Sequence, residues 1–116
     1  MKVIFLDIDG VLNHQGMTDT IKNEYRGSVS ESCIERLNQL TDKTDAKIVI
    51  SSSWRGVENK NMKSCEQQLY DFGVTGDIIG ETPRLDYPAS LRGNEIYCWM
   101  QKSKGVVSNY LILDDY

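Results

Sequence analysis

Asp7 and Asp9, with one residue between them and Gly10 next, follow directly on the apolar run Val3-Ile4-Phe5-Leu6. Residues two apart in an extended chain point to the same side, and a glycine lets the backbone turn sharply away. Two negative charges that close repel unless a cation or a shared proton lies between them, so the pattern asks for one or the other. A hard divalent cation fits, because Mg2+ commonly takes one or two carboxylates together with substrate phosphate oxygens. Two more polar clusters follow apolar runs in the same way. Ser51-Ser52-Ser53 comes after Ile48-Val49-Ile50, and Asp114-Asp115 comes after Leu111-Ile112-Leu113. Serine hydroxyls, the arginine Arg92, a helix N-terminus and a metal together make a phosphate site.

These groups meet only if the elements carrying them lie side by side. Apolar runs of strand length alternate with amphipathic runs of helix length, the βαβ pattern of a parallel sheet. Strands are expected at about Lys2 to Leu6, Lys47 to Ile50, Asp77 to Ile79 and Tyr110 to Leu113. The first is apolar on both faces, as a covered parallel strand must be. A first helix runs from an N-cap at Ser30 to about Thr41, with Val29 stapled on Ile34 and with Cys33, Ile34, Leu37 and Leu40 buried. A second helix spans about Asn59 to Phe72, with Met62, Cys65, Leu69 and Phe72 inward and Gly73 as its stop. A third spans about Asn94 to Lys102, and its Ile96, Trp99 and Met100 form a core stripe, ended by Gly105. Pro83 and Pro88 argue against a long helix before it. Residues 13–27 are polar and without period, and read as a mobile excursion over the first strand's carboxyl end. In open α/β sheets ligands bind outside those ends where strand order reverses. With the first strand central, all the polar clusters converge on one crevice.

Size and charge restrict the function. With 116 residues and 40% hydrophobic content the chain makes one domain with a single core. A net charge of -4 gives no basic footprint for strong nonspecific nucleic-acid binding, although a local positive groove stays open. Cys33, Cys65 and Cys98 are odd in number and widely spaced, which indicates neither a disulfide framework nor a zinc knuckle. A reduced, cytoplasmic setting is expected. No run approaches the roughly 20 apolar residues of a membrane span.

Asp7-Ile8-Asp9-Gly10-Val11-Leu12, Ser51 after its apolar run, Arg92 ahead of a helix, and Asp114-Asp115 after theirs resemble the four motifs of the haloacid dehalogenase (HAD) superfamily, in their order. The resemblance covers nearly the whole chain. Ser51-Ser52-Ser53-Trp54-Arg55, Arg92-Gly93-Asn94-Glu95-Ile96 and Trp99 resemble a small subgroup that includes domains associated with RNA-repair proteins. The resemblance implies a three-layer, Rossmann-like α/β sandwich with a mostly parallel central sheet. It forms a single domain over residues 1–116, with residues 13–29 as a flap. Neither interval between the early motifs has room for a separate cap domain, so the crevice is expected to be open.

The resemblance further implies an Mg2+-dependent phosphomonoester hydrolase. Asp7 would be the nucleophile that forms an aspartyl phosphate, and Asp9 the general acid and base. Gly10, Ser51, Ser52 and Arg92 would bind the phosphoryl group, with Ser51 ahead of Ser52. Asp7, the main-chain carbonyl of Asp9 and Asp114 would hold the metal, with Asp115 a ligand directly or through water. The substrate would be a phosphorylated small molecule or a nucleic-acid end. An alternative is a domain that binds phosphate and metal for sensing or interaction and turns over poorly. Competing readings are a capped turn for Asp7 to Gly10, a polar loop for the serines, a surface charge for Arg92, with Lys102 or Lys104 in its place, and a strand terminator for Asp114-Asp115. His14 and Asn13 read as bystanders or as leaving-group contacts. Trp54 and Arg55 read as stacking on a ring or packing on the second helix. The chain stops at Tyr116 just after the fourth motif, where relatives continue. A minimal version, a fragment, or a protein completed by a partner or oligomer are all compatible with that.

Overall fold

A computed structural model describes residues 1–22, 27–54, 63–86, 91–103 and 105–115. The elements are β1 (Lys2–Leu6), β2 (Thr20–Lys22), β3 (Ser28–Ser30), α1 (Glu31–Thr44), β4 (Lys47–Ile50), α2 (Cys65–Asp71), β5 (Ile78–Glu81), α3 (Arg92–Lys102) and β6 (Asn109–Leu113). Four strands form one parallel sheet in the order β5-β4-β1-β6, with helices on both faces, so β1 is internal as the convergence of the clusters requires.

The alternation of β1 assigns its side chains to two layers. Ile4 and Leu6 enter one core with Ile48 and Ile50 of β4, Ile34 and Leu37 of α1, and Cys65 and Leu69 of α2. Val3 and Phe5 enter the other with Val49 and with Ile96, Trp99 and Met100 of α3. Trp99 meets the Phe5 ring edge-on at 5.5 Å. Fully burying a side chain such as Phe5 or Leu69 is worth about 1.5–3 kcal/mol. Half-exposed surface pairs such as Lys63–Asp71 are screened by solvent and add little beside it.

Register carries this packing into the site. Leu6 pairs with Ile50 on one side and with Leu113 on the other. The Asp7 N–H donates to Leu113 O at 2.9 Å, and the Ser51 N–H to Leu6 O at 2.8 Å. Asp7, Ser51 and Asp114 therefore leave three adjacent strands at the same level.

The structure corrects several boundaries. Residues 13–27 do not form an unstructured excursion throughout, because β2 pairs antiparallel with β3 from Thr20↔Ser30 to Lys22↔Ser28. α1 continues past Thr41 to Thr44, since Asp45 supplies a left-handed cap whose N–H returns to Thr41 O. α2 starts at Cys65, after an N-cap at Ser64 that accepts from the Gln67 N–H. Asn59 and Met62, expected at its start, lie outside the described residues, as do Arg55, Pro88 and Lys104. Arg92 does not precede α3 but opens it, and the first-turn Glu95 is buried, accepting from the Leu85 N–H at 3.0 Å. That bond ties the segment after β5 to the helix that carries Arg92.

Candidate active site

Asp7 is buried at the end of β1. Its Oδ1 accepts from the Ile8 N–H at 2.8 Å and lies 3.6 Å from Arg92 Nη1, and the Ser52 hydroxyl also bonds to its carboxylate. Burial pushes the Asp7 carboxyl above the ordinary carboxylate range, with Asp114 adding to the rise. The Ile8 N–H, the Arg92 guanidinium and Ser52 oppose it. Arg92 reaches across to Asp114 as well, Nε to Oδ2 at 3.8 Å. One guanidinium thus faces two carboxylates from neighbouring strands.

Asp114 and Asp115 leave β6 beside Asp7, and oxygens of all three carboxylates lie within 4.8 Å of one another. A hydrogen bond shared with Asp114 pushes the Asp115 carboxyl up, as expected of like charges gathered without a counter-ion. An all-oxygen donor set of this kind fits Mg2+. Gly10 closes the cradle. Its φ is +83°, and a Cβ there would stand 2.5 Å from Asp115 Cβ.

Among the described residues two buried polar atoms in the site have no hydrogen-bond partner, Ser51 Oγ and Arg92 Nη1, the latter making only the 3.6 Å ion-pair approach to Asp7. A buried donor without a hydrogen-bond acceptor costs about 1–3 kcal/mol, and these two lie on the elements flanking Asp7, which fits a place prepared for an anion. Ser52 is buried too, but its Oγ is engaged by Asp7 and by the Trp54 N–H at 3.2 Å.

Asp9 turns another way. Its exposed carboxylate accepts from Asn13 Nδ2 at 3.1 Å and from Trp54 Nε1 at 3.2 Å, so its side chain stands apart from the three-carboxylate group. Asn13 also donates to Ser28 O and accepts the Gly10 N–H, binding the turn after β1 to β3. His14 is exposed with Nδ1 against its neighbour's carbonyl, Gln15 O at 2.9 Å. It shares an open cavity of about 420 Å³ with Gly10, Asn13, Gln15, Met17 and Ser28. Sequence spacing draws Asp7, Ser51, Arg92, Asp114 and Asp115 together, and the fold does bring them together. Trp54 packs on Phe72 at 6.5 Å, one of the two readings the sequence offered for it, and its indole also reaches Asp9, which spacing does not predict. The only signal for that contact is the position of Trp54, four residues after β4 ends.

The profile of the HAD domain in Swiss Army Knife RNA repair proteins matches residues 3–116. The chain belongs to that family. The match spans all of the sheet but Lys2 and every residue of the site, and with it the fold is that of a small HAD domain without a cap. HAD domains are typically phosphohydrolases that need Mg2+, and the cluster of Asp7, Asp114 and Asp115 is the possible metal site. Neither the curated proteins nor the solved structures yield a match. No helix among the described residues is long and apolar enough to cross a membrane.

Proposed function

We infer that this domain hydrolyses phosphomonoesters in two steps through an aspartyl phosphate on Asp7, acting on the terminal phosphate of a nucleotide or nucleic acid. The observation that carries the reading is the pair of buried donors without a hydrogen bond, Ser51 Oγ and Arg92 Nη1, on the elements flanking the buried Asp7 carboxylate. Asp7, Asp114, Asp115 and the main-chain carbonyl of Asp9 would hold Mg2+. When bound, the ion neutralises phosphoryl charge and favours the ionised form of Asp7.

The chain's own groups do the rest. The Asp7 carboxylate bonds to phosphorus as the bond to the leaving oxygen breaks, and that oxygen keeps the electron pair and takes a proton from Asp9. Ser51 and Arg92 donate to the phosphoryl oxygens, where the transition state spreads its charge. In the second step a water gives its proton to Asp9 and attacks phosphorus, releasing inorganic phosphate and the Asp7 carboxylate. The absence of a cap and the family's place in RNA repair proteins support a substrate too large to be enclosed.

The test is hydrolysis of 4-nitrophenyl phosphate with Mg2+ by the parent and by Asp7→Asn. The substitution is expected to remove turnover by on the order of 10³-fold or more. Undiminished activity rejects Asp7 as nucleophile, and Mg2+ binding without any turnover in the parent favours the sensing domain. Oligonucleotides bearing 5′ or 3′ phosphate, set beside nucleotides and sugar phosphates, then rank the substrates.

A further inference from the structure

General acid catalysis fails if the acid swings away from the leaving oxygen, and an exposed aspartate on a turn is free to rotate unless something holds it. Asp9 is exposed, yet each of its carboxylate oxygens is held by a different element: Oδ1 by Asn13 Nδ2 at 3.1 Å and Oδ2 by Trp54 Nε1 at 3.2 Å. The Trp54 donor is the stiffer of the two. The residue is 8% exposed, its ring lies 6.5 Å from Phe72, and the chain passes close over the indole at Gly27, where a Cβ would lie 3.2 Å from Cζ2. Its own backbone N–H is fixed to Ser52 Oγ, and the Ser52 hydroxyl bonds to Asp7. A hydrogen-bonded path therefore runs from the Asp7 carboxylate through Ser52 and Trp54 to Asp9.

We propose that Trp54 is a positioning residue for proton transfer. Its indole N–H, working against the Asn13 amide, sets the Asp9 carboxyl where the leaving oxygen departs and where the attacking water arrives. Asp9 keeps one further lone-pair direction on each oxygen for that exchange. The role rests on the phosphatase reading above. It predicts a dependence on the leaving group that a purely structural role does not produce. A 4-nitrophenolate leaves without a proton, whereas an alkoxide such as the 5′-oxygen of a nucleoside needs one as the bond breaks.

The full chain with Mg2+ is assayed on 4-nitrophenyl phosphate and on a 5′-phosphorylated oligonucleotide, as the parent and as Trp54→Phe. Loss of the N–H is expected to lower kcat/KM, which reports the steps up to departure of the leaving group, about ten- to hundred-fold on the alkyl ester, within the range of general acid–base contributions. On the aryl ester kcat/KM should change by less than about threefold, because its leaving group needs no proton. A benzothiophene analogue of tryptophan at position 54 keeps the ring's shape and loses only the N–H. It must reproduce the selective loss, which separates the hydrogen bond from packing should Trp54→Phe fold poorly. Equal losses of kcat/KM on both esters, or none with the analogue, overturn the role of Trp54 and leave the phosphatase reading standing. A parent that hydrolyses neither ester overturns both.

Discussion

Gly10 sits where a side chain would collide with a candidate metal ligand. Alanine there must hold a left-handed backbone, costing roughly 1–2 kcal/mol, and must also displace Asp115, whose Cβ would be 2.5 Å away. Asp115 is one of the three gathered carboxylates, so the damage falls on the cation site. Gly10→Ala is expected to weaken Mg2+ binding by about ten- to hundred-fold, the usual cost of disturbing what orients a ligand. Titration calorimetry checks it, and parent-like affinity would show that Asp115 is not needed. This scale was legible in the sequence wherever a polar residue ends an apolar run, because a strand's end follows from that pattern. Asp7, Ser51 and Asp114 are of this kind. The Trp54–Asp9 and Asn13–Ser28 contacts depend on side-chain rotamers and on where the chain returns, which periodicity does not encode.

Among the elements, the entry to α1 shows what a local reading misses. Ser30 is its N-cap, as its type and position predict, and accepts from the Cys33 N–H. Asp19 is a second cap from eleven residues upstream of Ser30. Its carboxylate accepts from the Ser32 N–H at 2.7 Å and from the Ser30 hydroxyl at 2.8 Å, and its carbonyl accepts from the Glu31 N–H. The β2–β3 pairing brings it there, and each of those strands is only three residues long with a single apolar side chain, too short to register as alternation. The bonds from Ser32 and Ser30 hold the Asp19 carboxyl far below the ordinary carboxylate value of 3.8. A carboxyl lowered on folding stabilises above its unfolded value and loses that contribution as pH falls through the folded one. Asp19→Asn is therefore expected to melt below the parent at pH 7, with the gap closing as pH drops below about 3.8. Paired thermal melts across pH 2–7 measure it, and a gap that does not narrow between pH 4 and pH 2 would mean that the charge of Asp19 is not what caps α1.

For the whole molecule, the order β5-β4-β1-β6 decides what the fold can bind, because it sets β1 between the strands that deliver Ser51 and Asp114. That order follows from the sequence only through the requirement that the polar clusters meet. The bounds of β1 and β4 were readable from apolar runs buried on both faces. Gathering carboxylates this way has a thermodynamic consequence. The Asp7 and Asp115 carboxyls are both raised on folding, so without metal the native state holds protons that the unfolded chain has released. Stability then falls as pH rises from about 3.8 through the raised values, opposite in sign to Asp19 and in a higher window. A divalent cation reverses this, since it binds the native cluster and competes with those protons. Mg2+ is expected to raise Tm, with a stabilisation of about 2.7 kcal/mol at a hundred times Kd. The increment should grow as pH rises above about 3.8 through the raised values, and should vanish in the double variant Asp114→Asn, Asp115→Asn. Ca2+, with its demand for more oxygen ligands, should give a smaller shift at equal concentration if the site has the compact geometry Mg2+ prefers. An increment that does not depend on pH, or that survives in the double variant, would place the bound cation elsewhere on the molecule.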